Sequence, residues 1–359
     1  MTLLAVRKLP RGIGAALLAA LLFGAGTPAA KILLAATSPW LLAALLYLGS
    51  GFGLAAWRRL RRAPAVRLAP GEWRWLAGAV LAGGVAGPVL LMVGLNRLAA
   101  STASLLLNAE GVFTALLAWT VFRENVDRQV ALGMAAIVAG GLVLSWPGQV
   151  DGVAWLPALY VTGACAAWAV DNNLTRKVSL NDASWIAMVK GLAAGATNLL
   201  LAVALGAHWP PLPVVGAAAL LGFASYGASL MLFVVALREL GTGRTGAYFS
   251  VAPFFGAVLA VLFLGDAVTP QLLAAGALMA VGVALHLSEK HQHSHGHEPL
   301  AHGHAHVHGA GDDHHDHVHA PPVPAGTRHS HWHEHTALVH THPHYPDAHH
   351  RHGHQHEAQ

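Results

Sequence analysis

The chain has 359 residues, of which 55% are apolar and 11% charged, where a soluble domain carries about 25% charged residues. That shortage of solvated surface excludes a soluble enzyme, and no GxxxxGK[ST] sequence is present to suggest an ATP-driven pump. A single cysteine, Cys165, excludes an internal disulfide framework, and the net charge of +4 averages an apolar body over residues 1–290 with a tail that holds every histidine except His208 and His286.

Arg7, Lys8 and Arg11 precede a first apolar run that ends near Thr27-Pro28-Ala29-Ala30 and superficially resembles a cleavable signal. Its length, and the spans that follow, identify it instead as a transmembrane helix. About 20 mainly apolar residues cross ~30 Å of hydrocarbon. Windows of that kind fall near 13–34, 39–57, 75–95, 98–122, 129–146, 153–174, 183–205, 214–237, 243–264 and 268–288, so ten helices are expected. Pro147-Gly148-Gln149 and Trp209-Pro210-Pro211 punctuate them as turns. Lys31 ends the first window, where a lysine snorkels to the interface. Trp57, Trp73 and Trp75 flank a basic loop as interfacial aromatics. In the third window Gly83-Gly84 with Gly87-Pro88 suggests a bend. Asp171 closes the sixth as a cavity rim or helix terminus, compensated by Arg176 and Lys177.

With the N-terminus placed in the cytoplasm, the inside loops collect Arg58, Arg59, Arg61, Arg62, Arg67, Arg74, Arg123, Arg128, Arg176, Lys177, Arg238, Arg244 and Lys290. The outside loops collect only Arg97, an asymmetry that the positive-inside rule requires. Both termini are then cytoplasmic. The body also repeats. Glu124-Asn125-Val126-Asp127-Arg128-Gln129 returns as Asp266-Ala267-Val268-Thr269-Pro270-Gln271, an offset of 142 that also lays Gly140 on Gly282. An offset of 145 lays Phe23 on Trp168 and Lys31 on Arg176. Five windows per half make the halves enter the membrane upside down, and such inverted repeats hold a solute site at their interface.

The fourth window, LLLNAEGVFTALLAW, carries Glu110 near the bilayer centre, where a charge costs ~2.5–3.5 kcal/mol on insertion scales. The 142 offset lays Glu110-Gly111 on Ala252-Pro253, so both windows are interrupted at matching depth, by Gly111 and Pro253. Paired interruptions of this kind point to a transport cavity. Lys190 is the expected partner of Glu110, with Asn108 and Asn198 as hydrogen-bond neighbours. A structural carboxylate that locks helices together is the alternative to a role in substrate or proton coupling.

With Phe122-Arg123-Glu124, Leu264-Gly265-Asp266 and the Phe23–Lys31 and Trp168–Arg176 beginnings of the two halves, the body resembles the drug/metabolite transporter superfamily, specifically its EamA-type members. The resemblance covers roughly residues 12–288. It implies an all-α polytopic fold of ten helices in two inverted five-helix repeats, 12–146 and 152–288, around a central cavity. The fifth and tenth helices are then the more peripheral. It also implies ATP-independent movement, commonly export, of small metabolites by alternating access in a bacterial-type inner membrane. No cofactor is required, no nucleic acid is involved, and a homodimer is compatible with it. Glu110 departs from the small residue or proline that such families often place there.

The tail, 291–359, has too few apolar residues to build a core and is expected to be disordered. Its candidate metal ligands are His302, His304, His306, His308, His314, His315, His317, His319, His340, His342, His344, His349, His350, His352 and His354. Neutral imidazole suits Zn, Ni, Co or Cu. Three functions remain open: a secondary transporter of a small solute with a metal-binding tail, a transition-metal exporter that collects its ion there, and a membrane-anchored metal buffer or sensor.

Overall fold

The computed structural model of the chain describes residues 11–66, 68–121, 128–145, 155–178, 181–287, 292–297, 300–307, 328–335 and 338–343. These fall into two units, Met1–Glu289 and Lys290–Gln359. Residues 122–127 and 146–154, which include Glu124 and Pro147, lie outside the described residues, as do Arg67 and Lys290.

The described part of the first unit is helical. Its helices are α1 (Arg11–Leu33), α2 (Pro39–Leu60), α3 (Trp73–Ala79), α4 (Gly87–Arg97), α5 (Ala100–Leu106), α6 (Ala109–Thr120), α7 (Arg128–Ser145), α8 (Trp155–Arg176), α9 (Ala183–Ala204), α10 (Leu212–Gly222), α11 (Ser229–Phe249), α12 (Ala252–Leu264) and α13 (Pro270–Leu287). Five stretches are long and apolar enough to cross a membrane: Gly12–Leu33, Pro39–Leu60, Trp73–Arg97, Ala183–Ala204 and Leu212–Ala236. Shorter apolar helices cover Ala131–Leu144, Ala252–Leu264 and Pro270–Leu285. The turn expected between the eighth and ninth windows is helical, because residues 238–244 contain no proline and α11 runs through them.

Two pairs of irregularities fall 142–143 residues apart. Pi-helical turns at Val80–Ala86 and Phe223–Ala228 interrupt the third and eighth windows. The fourth window breaks at Leu107-Asn108, and α11 gives way to α12 at Ser250-Val251. The breaks therefore occur at matching depth, but not at Gly111 or Pro253. Gly111 is inside the first turn of α6, and Pro253 opens α12. A proline in the first helical turn lacks only an N–H that would go unbonded anyway, so it starts a helix rather than breaking one.

Close helix approach depends on matched glycines. A Cβ on Gly51 would fall 2.6 Å from the Leu192 nitrogen, and one on Gly191 would fall 2.6 Å from the Gly51 nitrogen, so α2 and α9 touch backbone to backbone. Each of these two helices is capped at its N-terminus by a side-chain oxygen: Ser38 accepts from the Leu41 N–H at 3.3 Å and Asp182 from the Trp185 N–H at 2.8 Å. A Cβ on Gly140 would sit 2.9 Å from the Ala275 carbonyl oxygen, and one on Gly282 would sit 2.6 Å from that of Gly133, which seats α7 against α13.

In the second unit, β1 (Gln292–His297) pairs antiparallel with β4 (Leu338–Pro343), and β2 (Leu300–Val307) with β3 (Arg328–His335). Alternating x-His sequence has the two-residue period of a strand, and backbone pairing does not itself need an apolar core.

Candidate functional site

The first pi-helical turn frees backbone acceptors in the middle of the body, and side chains from three helices take them. Tyr47 on α2 donates to the Gly83 carbonyl at 2.8 Å, and Trp168 on α8 donates to the same oxygen at 2.9 Å. Asn198 on α9 donates to the Gly84 carbonyl at 2.9 Å. Gly83 has no room for a side chain, because a Cβ there would overlap the Asp171 carboxylate.

Asp171 faces that glycine because it is bound from the other side. Lys190 Nζ reaches its two oxygens at 2.5 and 2.7 Å, and Thr175 donates to Oδ1 at 2.8 Å. The pair is buried, with side-chain exposures of 2% for Lys190 and 10% for Asp171. The expected Glu110–Lys190 pairing is therefore corrected. Asp171 is one turn from Thr175 on α8 and holds the lysine, whereas Glu110, on α6, accepts a hydrogen bond from Asn172 Nδ2 at 2.7 Å. Glu110 is still within electrostatic reach of both Asp171 and Lys190. Among the described side chains it has no ion-pair partner of its own.

An aromatic cluster adjoins these groups through Trp168 and Tyr47. Phe23 meets Trp168 edge-on at 5.8 Å and Tyr226 at 5.9 Å, and Tyr47 meets Tyr226 at 5.4 Å. Phe23 and Trp168 are the residues that the 145 offset superposes, so equivalent positions of the two halves touch.

The other expected site residues are more scattered. Asn108 is buried at the break before α6, where it donates to the Leu105 carbonyl at 2.9 Å and to Met279 Sδ at 3.7 Å. Neither Asn108 nor Asn198 bonds Glu110, and the Oδ1 atom of each is buried without a hydrogen-bond partner. Gly111 has open space beside it, with nothing within 4 Å of an added Cβ. Pro253 is buried where α12 begins, beside the close approach of Gly24 to the Ala252 carbonyl. Lys31 does not snorkel freely: its amine donates to the carbonyls of Leu95 at 2.7 Å and Asn96 at 3.2 Å, capping α4.

The two ends of the α2–α9 pair differ. At one, Arg58 donates to Asp182 Oδ1 and to Ser184 Oγ, both at 2.5 Å, and to the Pro64 carbonyl at 2.8 Å. Burial pushes the Asp182 carboxyl up, but the Ser184 hydroxyl, the Trp185 N–H and the Arg58 guanidinium outweigh it and hold the group below its ordinary value. At the other end, the 34–40 turn and the 205–208 turn enclose an open cleft of about 490 Å³ that includes Trp40 and His208.

Among the described residues, no three of His, Cys, Asp or Glu converge as a metal centre. Of the expected tail ligands, His302, His304, His306, His340 and His342 lie in the strands. His308, His314, His315, His317, His319, His344, His349, His350, His352 and His354 lie outside the described residues.

The sequence matches the model of the EamA-like transporter family twice, over residues 10–146 and 155–288. It is 31% identical to an uncharacterized transporter of Methanothermobacter thermautotrophicus over 205 residues, 55% of this chain and 60% of that protein's length. Over 94 residues, 26% of this chain and 79% of the other, it is 35% identical to a probable 4-amino-4-deoxy-L-arabinose-phosphoundecaprenol flippase subunit, ArnE, of Pseudomonas fluorescens. The fold is also that of a crystal structure of another protein, 20% identical, with a TM-score of 0.61 over 76% of this chain and 95% of the other.

Proposed function

The chain belongs to the EamA-like transporter family, and from that premise we propose that it is a multi-pass secondary transporter that exports a small cationic solute by alternating access, with Glu110 as the coupling carboxylate. Ten crossings in two inverted repeats, 12–146 and 152–288, are supported by the twin family matches, the twin pi-helical turns and the twin breaks. The basic loops support cytoplasmic termini in a bacterial-type inner membrane. Outward movement draws support from the likeness to a flippase subunit.

The observation that carries the reading is the charge balance of the site. Asp171 and Lys190 neutralise each other, which leaves Glu110 with a hydrogen bond from an uncharged amide. A carboxylate in a span is stable only with a cation or a proton on it. Exchange of one for the other is the elementary step of proton-coupled export. The adjoining aromatic faces of Phe23, Tyr47, Trp168 and Tyr226 favour an organic cation.

Transition-metal efflux is the second reading, and the histidine strands favour it. In both readings the tail binds divalent metal in the cytoplasm. The test is proton flux, read by a pH-sensitive dye trapped in proteoliposomes and compared with protein-free vesicles, under a proton gradient, with a panel of organic amines, sugars, amino acids, Zn, Ni and Co. An amine response that Glu110→Gln abolishes is expected. A response only to metals would transfer the function to the second reading, and one that Glu110→Gln leaves intact would remove Glu110 from the mechanism.

A further inference from the structure

Residues 57–75 hold six arginines, no lysine and a single acid, Glu72. Arg58 is buried and occupied by Asp182 and Ser184. Glu72 accepts from the Ala69 N–H at 2.9 Å and from Asn181 Nδ2 at 3.3 Å, so it neutralises none of the other arginines. Arg59, Arg61, Arg62 and Arg74 are exposed and form no ion pair among the described residues. The start of α9 gathers them. Asp182 and Ser184 hold Arg58 at the end of α2, while Asn181 reaches Glu72 and Trp185 meets Trp73 edge-on at 6.1 Å. The end of α2 and the start of α3 are thereby fixed on the same short stretch, 181–185, and the four free guanidinium groups share one end of the helices.

Two of the four are preorganised. Arg61 lies over the Trp57 ring at 5.6 Å and Arg74 over the Trp75 ring at 4.7 Å. Such a stack leaves the edge of the guanidinium free to bind a phosphate through two hydrogen bonds. Arg62 stands where glycine is the ordinary choice. The Ala63 N–H donates to the Arg58 carbonyl at 3.0 Å and the Arg62 N–H to that of Arg59 at 3.1 Å, which closes α2 with Arg62 in the left-handed region at φ 49°. Among the described residues it is the one non-glycine with a positive φ, and a glycine would relieve the strain. An arginine in that position, at a backbone cost, points to a use for its side chain. Bare apolar side chains lie among these cations: Leu60 is 85% exposed and Trp73 50%. A soluble anion has no use for them, whereas a lipid brings both a phosphate and acyl chains. We propose that Arg59, Arg61, Arg62 and Arg74 form a docking site for the headgroup of an anionic phospholipid, with Leu60 and Trp73 against its chains.

The test is a titration of the full chain, in uncharged detergent, with short-chain phosphatidylglycerol and separately with phosphatidylcholine, the bound lipid being counted by native mass spectrometry. Tighter binding of phosphatidylglycerol is expected. An anionic lipid surface favours binding by about fivefold for each basic residue beside it. Arg59→Gln with Arg62→Gln should therefore weaken phosphatidylglycerol roughly 25-fold and leave phosphatidylcholine unchanged. Arg97→Gln, at the far end of the span that Trp73 begins, should change neither. Arg62→Gly separates backbone from side chain. It should melt no lower than the parent in detergent alone, yet bind phosphatidylglycerol about fivefold more weakly. Equal binding of the two lipids would overturn the proposal, as would a loss no greater in the double variant than in Arg97→Gln. Full phosphatidylglycerol affinity in Arg62→Gly would overturn it too, because the strained arginine would then serve the turn alone. Displacement of phosphatidylglycerol by an equal concentration of inorganic phosphate would make the site one for a free anion and overturn the lipid assignment.

Discussion

Replacing Lys190 with methionine isolates the contribution of the buried pair, because methionine keeps the length of the side chain and removes its charge. Lys190 Nζ supplies two of the three hydrogen bonds that Asp171 receives, at 2.5 and 2.7 Å, and leaves the third to Thr175. Hydrogen bonds to a charged group are worth about 1.5–3 kcal/mol each, and breaking a buried pair by removing one partner costs about 3–5 kcal/mol. The two figures overlap, so a loss of about 3–5 kcal/mol is expected. At ~2–4 °C per kcal/mol for a chain of this order of size, the melting temperature in detergent should fall by about 6–20 °C. The companion variant carries Lys190→Met and Asp171→Asn together. It no longer buries a lone charge and should recover more than half of the loss. Thermal unfolding followed by size-exclusion chromatography measures all three proteins. If Lys190→Met melts within about 2 °C of the parent, the pair is solvated and the charge balance around Glu110 fails with it. If the double variant is no better than the single, the shape of Asp171 against Gly83 matters and its charge does not.

Gly83→Ala should be more damaging than its size suggests, by about 1–3 kcal/mol, because the new methyl overlaps the Asp171 carboxylate. Gly111→Ala, with open space beside it, should be neutral or slightly stabilising; the same melting assay compares the two. Asn198→Ala leaves the Gly84 carbonyl without its donor and should cost about 1–3 kcal/mol. The carboxyl of Asp182 lies below its ordinary value in the folded protein, so its contribution is complete above the unfolded value of about 3.9 and is lost as pH falls through the lower folded one. Melting scans from pH 6 to pH 3 should therefore show an acid limb that flattens in Asp182→Asn, and an unchanged limb would refute a contribution from the Arg58–Asp182 clamp.

Five of the ten windows, those at 13–34, 39–57, 75–95, 183–205 and 214–237, were legible because apolar length alone places them, and the offset of 142 located the paired breaks to within a few residues. The partner of Lys190 was not legible. Asp171 is near Arg176 and Lys177 along the chain, and nothing in sequence says which way α8 faces α9, so the nearest charges were assigned to it. The pi-helical turns were foreshadowed only by Gly83-Gly84 and Gly87-Pro88, read as a bend. A widened turn has no side-chain period of its own, and its effect, a carbonyl offered to Tyr47 and Trp168, appears only once three helices meet. In the tail, composition argued against a core, while the alternation of histidine with small residues carried the strand period all along.

The pi-helical turns at Val80–Ala86 and Phe223–Ala228 also constrain how the gene can vary in length. An α-helix advances about 100° per residue, and a pi-helical turn accommodates one residue beyond the α-helical count. Deleting one codon within 80–86 would let the third window close into regular helix with α3 and α4 still in phase, whereas a deletion inside α4 would rotate the two sides of the cut by about a quarter of a turn. Leu95 and Asn96 would keep offering their carbonyls to Lys31, but the carbonyls of Gly83 and Gly84 would return to the helix ladder and be lost to Tyr47, Trp168 and Asn198. Single-residue deletions should therefore abolish folding inside α4 or α9, where they break the phase, yet leave a folded chain inside either pi-helical turn, a pattern that a deletion scan read by membrane expression would display as two short tolerated intervals about 142 codons apart.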